Sequence, residues 1–376
     1  MIEQIARIVF LLGGVFIVMK VLEGDAVTAV NVSVFAAFIG SIGGLATLFY
    51  FWKKLRPEIK AVQVVAPKEQ QLPYSTMYKE IFKYAIPIVF VGLGSSLFQL
   101  VDMLTFNRAM IAGGVSAKLT DTYFTMLNLL TQKIVMIPVV LATGFSMALI
   151  PTIAKFYAQK DLIQVRAAMD KTYQVLLFIT VPAALGISAL AEDLYHFFYE
   201  QSEMGTQVLS HYAPLAILFA LFTVTAAILQ GVEYQKWVVF SLLFGVFTKT
   251  ILNTPFIKMW SVDGAIIATA IGYGVTIAIN IAVISKVTEY KAKIIIRRIL
   301  LIFILTGVMI LAVLITDFLL TWISPADSKV LAFMYAVICA GVGGTIYGVI
   351  SYKLGLAQAL LGDKITKIAR KLRLVK

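Results

Sequence analysis

The chain has 376 residues, of which 60% are hydrophobic and 14% charged, and its mean hydropathy is +0.91. Soluble domains carry about 45–50% apolar and about 25% charged residues, so this composition excludes a soluble, disordered or fibrous protein. The net charge of +12 is typical of a membrane protein whose cytoplasmic loops face anionic lipid headgroups, and we expect no nucleic-acid partner.

Long apolar runs follow one another along the chain. In lipid, only helices and closed barrels satisfy the hydrogen bonds of the backbone. The apolar runs lack the period-two alternation of barrel strands. They therefore predict an all-α polytopic membrane bundle. Each run is close to the length of about 20 residues that crosses a bilayer. In chain order the predicted membrane helices are ten, at residues 4–22, 27–52, 84–107, 123–150, 172–191, 209–231, 236–257, 262–286, 298–323 and 329–352.

Lysine and arginine are distributed unevenly between alternate loops. Of the 32 basic residues, 25 lie in one set of loops and at the two termini, and four lie in the other set. Basic residues are retained on the cytoplasmic side of a membrane. The sequence therefore predicts a multi-pass protein of the plasma membrane with both termini in the cytoplasm.

Two polar segments interrupt this pattern. Residues 53–83 are rich in lysine and contain three prolines, which predicts a cytoplasmic loop joining two bundles. In residues 357–376, leucine and isoleucine fall on one helical face and basic residues on the other. That pattern favours a helix on the surface of an anionic membrane over a solvated basic tail.

The outer loops offer little for catalysis. They are short and lack the GxSxG, HExxH and DxD motifs and any Gly-rich phosphate loop. The acidic loop 192–208 is interpreted as an ordinary outer loop rather than a site of acid–base chemistry. One cysteine and two histidines without ligand spacing predict no metal site, and nothing in the sequence indicates a cofactor. We therefore expect a transporter rather than an enzyme.

Charged side chains within the predicted spans are the main functional signal, because ionised groups are costly in lipid. Asp102 and Lys133 fall in the outer halves of adjacent spans, and Lys249 lies at depth in a later span. One hypothesis is a hydrated cavity that holds an anionic headgroup. The alternative is a structural Asp102–Lys133 pair with lysines that reach the interface. Polar residues close to these charges in sequence complete the candidate set: Gln99, Arg108, Gln132 and Asn253.

Several stretches resemble recurrent pieces of the multidrug/oligosaccharidyl-lipid/polysaccharide (MOP) exporter superfamily. The two C-terminal helices and the basic tail are most similar to its polysaccharide biosynthesis and stage V sporulation protein B-like branch, which includes MurJ-type lipid II flippases of Gram-positive bacteria. The matching stretches are PVVLATGFSMALIPTIAKFYAQKD (138–161), VPAALGISALAEDLYHFFY (181–199), LQGVEYQKWVVFSLLFGVFTKTILN (229–253) and WSVDGAIIATAIGYG (260–274).

The resemblance implies two six-helix lobes that move an undecaprenyl-linked oligosaccharide, lipid II or a related unit, by alternating access. A central cavity is then expected to hold the pyrophosphate–sugar head, with the last two helices flanking a groove for the lipid tail. IEQIARIVFLLGGVF at the start resembles the fifth helix of the family. We therefore expect an incomplete first lobe, either because the chain is a truncated or split gene product or because a partner chain supplies four helices, and no transport by this polypeptide alone.

On that basis the chain divides into five predicted segments. They are the last two helices of the first lobe (1–52), the inter-lobe loop (53–83), a six-helix second lobe (84–286), two additional helices (287–356) and the amphipathic tail (357–376).

Three other functions compete with this interpretation of the sequence. A cation-coupled multidrug exporter of the same superfamily is expected to have a compact body without extra helices or a basic tail. A non-transporting membrane partner protein stays open because of the expected truncation. A membrane glycosyltransferase is excluded, since no outer loop is long enough to carry its catalytic carboxylate. The predicted partners are thus a lipid-linked oligosaccharide and anionic membrane lipids.

Overall fold

The structure, a computed structural model, describes residues 2–65, 73–290, 293–324 and 328–361. Over these ranges the regular structure is helical throughout. Two segments, Ile17–Val21 and Met126–Thr131, are π-helical. The helices are α1 (Ile2–Phe16), α2 (Ala26–Val65), α3 (Tyr74–Gly92), α4 (Gly94–Ala112), α5 (Ala117–Thr125), α6 (Gln132–Ala158), α7 (Leu162–Ala189), α8 (Ala191–Phe198), α9 (Glu203–Tyr212), α10 (Leu215–Gly231), α11 (Gln235–Thr288), α12 (Lys293–Ile323), α13 (Lys329–Lys353) and α14 (Leu356–Leu361).

The predicted number of membrane crossings agrees with these helices. Within the described residues, eight helices are long and apolar enough to cross a bilayer, and α3 and α4, bent by 52° at Leu93, together make a ninth crossing. α11 has 54 residues, which would extend about 81 Å as one straight helix at 1.5 Å per residue, more than twice the hydrocarbon thickness. Its backbone leaves the helical region at Trp260 and Ser261, so it supplies two crossings. The prediction of about ten membrane helices is confirmed.

The two halves of α11, residues 235–259 and 262–288, fold back on each other as an antiparallel hairpin. Two glycines permit the close approach. A Cβ on Gly245 would lie 2.5 Å from the carbonyl oxygen of Gly272, and one on Gly264 would lie 2.1 Å from that of Phe256. Ser261, with φ of 51°, makes the turn between them. Small residues at these positions bring the backbones into contact, as they do in other membrane helix pairs.

The chain divides into two compact units, Met1–Lys79 and Glu80–Lys376. In the first unit, α1 and α2 form an antiparallel pair that meets through small residues, with Gly43 against Ala6 and Gly40 against Arg7. Most large side chains of this pair, such as Val9, Leu12 and Phe38, are exposed. A surface of this kind is suited to lipid rather than water.

The second unit has a continuous apolar core. α10 lies at its centre and packs against α6, α7 and α11, and most of its side chains are buried. A second apolar cluster joins α7 to α12 and α13, with Phe178, Met309 and Tyr347 among its members. Of the two C-terminal membrane helices, α12 packs on α7, and α13 packs on α12 and α8.

The segment 53–83 differs from its predicted form. α2 continues as a helix to Val65, and α3 begins at Tyr74, so most of the predicted loop is helical. Pro57 lies inside α2, and the charged turns around it carry the helix out of the apolar layer. The predicted surface helix at 357–376 is described only for Leu356–Leu361, and the rest of that prediction lies outside the described residues.

Candidate functional site

A buried carboxylate on α4 is the starting point of the site. Asp102 is only 4% exposed, although its helix consists mostly of apolar and small residues. Phe98 and Thr105 lie four residues before it and three residues after it, which places them on the same face of α4. This face points into the second unit, because Phe98 is buried as well.

The first half of α11 supplies the groups that meet this carboxylate. Lys249 and Asn253 are four residues apart and therefore share a face, and they are 1% and 0% exposed. The Lys249 Nζ atom lies 2.7 Å from Oδ2 of Asp102 and donates a second hydrogen bond to the carbonyl oxygen of Phe98 at 2.9 Å. The amide nitrogen of Asn253 donates to Oδ1 of Asp102 at 3.0 Å and to Oγ1 of Thr105 at 2.8 Å.

These contacts, which we call the Asp102–Lys249 network, neutralise both charges in an apolar layer. Each carboxylate oxygen accepts one hydrogen bond, and opposite charges at contact distance compensate part of the desolvation. Removing one partner of such a pair costs about 3–5 kcal/mol, because the other is left buried and charged. The network therefore clamps α4 to α11.

One acceptor of this network has no partner. The side-chain oxygen of Asn253 is buried and accepts no hydrogen bond from the described residues. A cavity of about 10 Å³ touches Asp102 and Lys249 on its polar side, which is room for about one water molecule. Stacked rings of Phe98 and Tyr273, with centroids 4.1 Å apart, line the same cavity. In this conformation the cavity is too small for a sugar headgroup.

Gln99 and Gln132 line the same cavity and are hydrogen-bonded to each other, which joins α4 to α6. Gln132 follows directly on the π-helical segment Met126–Thr131, where Thr131 donates to the carbonyl of Met126 five residues earlier. Interruptions of this kind often occur at functional sites. Five of the seven candidate residues thus meet in one region: Gln99, Asp102, Gln132, Lys249 and Asn253.

The other two candidates, Arg108 and Lys133, do not join them. Both side chains are exposed. The hypothesis of an Asp102–Lys133 pair is wrong, since the carboxylate of Asp102 pairs with Lys249, 147 residues away. Lys133 follows Gln132 by about 100° around α6, and this rotation turns it from the cavity to the exposed face.

An apolar groove lies elsewhere in the second unit. Its volume is about 550 Å³, and it runs between α6, α7, α12 and α13, with almost no polar surface. Its walls include Ile137, Phe178, Pro182, Met309, Val313, Gly343 and Tyr347. Gly343 lets α13 approach α12, because a Cβ there would lie 2.6 Å from the side chain of Val313. A groove with these walls suits a hydrocarbon chain rather than a charged ligand.

Two family models match the chain. The family described as "Polysaccharide biosynthesis protein" matches residues 1–157, and the family described as "MatE" matches residues 87–254.

Curated relatives match along nearly the whole chain. The "Lipid II flippase MurJ" of Bacillus subtilis (strain 168) is 41% identical over 375 residues, which is 98% of this chain and 69% of the relative. The "Uncharacterized membrane protein YabM" of the same organism is 25% identical over 99% of this chain and 69% of its own length. The chain thus spans a little over two thirds of these relatives.

A solved structure has the same fold. The chain titled "Lipid II flippase MurJ, inward closed conformation" matches with a TM-score of 0.57 and 15% sequence identity. The match covers 94% of this chain and 66% of that chain. The predicted fold class, an all-α membrane bundle of the MOP type, is confirmed.

Proposed function

This chain belongs to the MurJ family of the MOP exporter superfamily, and from that premise we propose that it moves a lipid-linked cell-wall precursor, lipid II or a related oligosaccharide unit, across the bacterial cell membrane. The observation that carries the proposal is the 41% identity to a lipid II flippase over 98% of the chain. The family consists of transporters, so the chain is a multi-pass membrane transporter rather than an enzyme.

Two features of the second unit support this function. The apolar groove offers a hydrocarbon chain a place beside α12 and α13. The Asp102–Lys249 network keeps a carboxylate and an ammonium at membrane depth, where charged groups mark transport pathways. Because the network is neutral and closed, it presents no net charge to a headgroup in this conformation. We infer that it fixes the packing of α4 on α11 while the chain rearranges elsewhere.

The distribution of basic residues supports an orientation with both termini in the cytoplasm, and the family supports a Gram-positive host. Basic residues at the cytoplasmic ends of the helices are attracted to anionic lipids. Lys53, Lys54 and Arg56, which are exposed where α2 leaves the apolar layer, are examples. A partner chain that contributes further helices stays a prediction.

Depletion of this protein in its own host tests the function. We expect lipid II to accumulate, and the fraction accessible to an impermeant reagent at the outer leaflet to fall. Supplying the wild-type chain again is the control, and it restores the accessible fraction. Unchanged outer-leaflet lipid II, together with increased sensitivity to toxic cations, would contradict the proposal and favour the multidrug exporter.

A further inference from the structure

Two aspartates outside the Asp102–Lys249 network come together elsewhere in the second unit. Asp193 lies in α8, directly after α7, and Asp317 lies near the end of α12. Their carboxyl groups lie within hydrogen-bonding reach of each other. Asp193 is only 5% exposed. Oδ1 of Asp317 is fully buried and has no hydrogen-bond partner among the described residues.

A pair of ionised carboxylates cannot satisfy this arrangement. Carboxylate oxygens only accept hydrogen bonds, so a hydrogen bond between two carboxyl groups requires a proton on one of them. Two like charges in a buried site repel each other and disfavour double ionisation. Neither aspartate forms an ion pair with a cation within the part of the chain that the structure describes.

The electrostatic surroundings of Asp193 also favour the protonated form of its carboxyl group. Burial raises the pKa of Asp193 to about 7, and the charges of Asp317 and Glu192 act in the same direction. Cys339 on α13 is within electrostatic reach of both aspartates. α9 and α13 both pack against α8. The other titratable groups of these three helices are Tyr195, His196, Glu203, His211, Tyr212, Lys329, Tyr335, Tyr347, Tyr352 and Lys353.

The pair lies at one end of the apolar groove. Leu190 and Leu194, on either side of Asp193 in sequence, line the groove, and so does Val313, one turn before Asp317 on α12. Ala336 and Ala340 of α13 line it next to Cys339. This end is on the membrane side opposite the basic loops, because α8 follows one membrane crossing and Asp317 ends another of the same direction.

We propose that Asp193 and Asp317 share one proton, and that this proton fastens α8 to α12 and closes the end of the groove. Release of the proton to water leaves two adjacent negative charges, which separate the helices and open the groove. We call the pair the carboxyl latch. Because the raised pKa belongs to the closed state, closure is complete in acid and is lost as the pH rises through about 7. The latch does not depend on which lipid the groove receives.

Cys339 reports directly on the latch. It is the single cysteine of the chain and is 0% exposed. The full-length protein is treated with N-ethylmaleimide over a range from about pH 5 to about pH 9, which brackets the pKa of the pair. Asp193→Asn is the reference variant, because an amide donates to the remaining carboxylate without a titrating proton. Dividing the two labelling rates removes the pH dependence that the two proteins share. The negative charges of the ionised aspartates act against labelling of the nearby thiol in the wild type, so a ratio that rises with pH reports opening rather than thiol ionisation.

We expect the ratio of wild-type to Asp193→Asn labelling rates to rise roughly tenfold between acid and alkaline pH, as the wild-type latch opens. Asp317→Asn is expected to behave like Asp193→Asn. Glu203→Gln, which removes an exposed carboxylate of α9, is the matched control and is expected to follow the wild type. A ratio that is constant with pH, or a Glu203→Gln profile that follows the Asn variants, would overturn the proposal.

A second measurement needs no variant. In the wild-type protein, infrared difference spectroscopy detects the C=O stretch of a protonated carboxyl group in an apolar site. We expect this band to be present below neutral pH and to vanish with the same midpoint as the labelling. Its absence at acid pH overturns the shared proton even where the asparagine variants fail to fold.

Discussion

Two buried aspartates of the same helical unit are held in opposite ways. Asp102 meets an ammonium at 2.7 Å and an amide at 3.0 Å, so its charge is compensated by a permanent cation and a hydrogen-bond donor. Asp193 meets a second carboxyl group and is compensated only while a proton is present. The same side chain therefore makes a permanent clamp in one place and a switch in the other. The difference lies in the partner, because both carboxylates are almost fully buried.

The largest expected effect comes from removing the cation of the clamp. In Lys249→Met, Asp102 keeps its burial and loses its ion pair, and we expect a loss of stability of about 3–5 kcal/mol. The midpoint of thermal unfolding in detergent measures this loss. The double variant Asp102→Asn with Lys249→Met carries no uncompensated charge, so we expect it to recover most of the stability.

This double variant also tests whether Asp102 is held by its charge, which is the difference from Asp193 described above. If it is no more stable than Lys249→Met, then packing rather than charge holds α4 to α11, and the clamp is not electrostatic. The interaction energy from the complete cycle of single and double variants separates the two terms.

A second expected effect concerns the backbone that places Lys249. Gly245 lies one turn before it on α11, and a Cβ at this position meets a carbonyl oxygen that cannot rotate away. We expect Gly245→Ala to cost about 1–3 kcal/mol, as overpacking generally does, and to separate the halves of α11. The thermal midpoint measures the cost.

Gly274→Ala is the matched control for this substitution. Gly274 lies on the same helix pair, and nothing lies within 4 Å of a Cβ built there, so we expect little change or a slight gain in stability. Equal losses in the two variants would indicate that helix flexibility, rather than the close contact, matters at Gly245.

The third effect belongs to the carboxyl latch. The stability of the wild-type protein is expected to fall by about 0.5–1.5 kcal/mol, the net contribution of one hydrogen bond, as the pH rises through about 7. The sign follows because the pKa of Asp193 is raised in the folded state, so the folded protein binds the proton more tightly than the unfolded chain. In Asp193→Asn this step disappears, and thermal midpoints measured across the pH range detect it. A wild-type midpoint that rises with pH over the same interval contradicts the latch.

The sequence alone predicts where the membrane helices lie, but it does not predict that Asp102 pairs with Lys249. Asp102 and Lys249 stand out in the sequence because ionised groups are rare in apolar runs. Their contact is hidden because 147 residues separate them, whereas Lys133 is nearer in sequence and lies on the wrong face of α6. Pairing across a bundle depends on helix rotation and packing, which hydropathy does not report.

The contact between Asp193 and Asp317 could not be predicted from the sequence for a different reason. Asp193 falls in an acidic loop that resembles an ordinary outer loop, and its partner is more than 100 residues away. A signal was present, since Asp317 is the single acidic residue in a span whose mean hydropathy reaches 3.0. An isolated carboxyl group in such a run needs a partner or a proton, but the sequence does not indicate which.

The smallest effect is expected at an exposed ion pair, which shows what burial adds to both aspartates. Arg166 lies 2.9 Å from Glu289, whose side chain is 75% exposed. Such pairs contribute about 0.2–1 kcal/mol, since water and salt screen the charges. We expect Glu289→Gln to lower the thermal midpoint slightly, and the difference to vanish in high salt. Arg166 also donates to the carbonyl oxygen of Thr288 at 2.7 Å at the C-terminal end of α11, so we expect Arg166→Met to cost more than Glu289→Gln. Equal losses would show that the bond to Thr288 adds nothing to the ion pair. A loss in Glu289→Gln as large as that in Lys249→Met would contradict the role of burial.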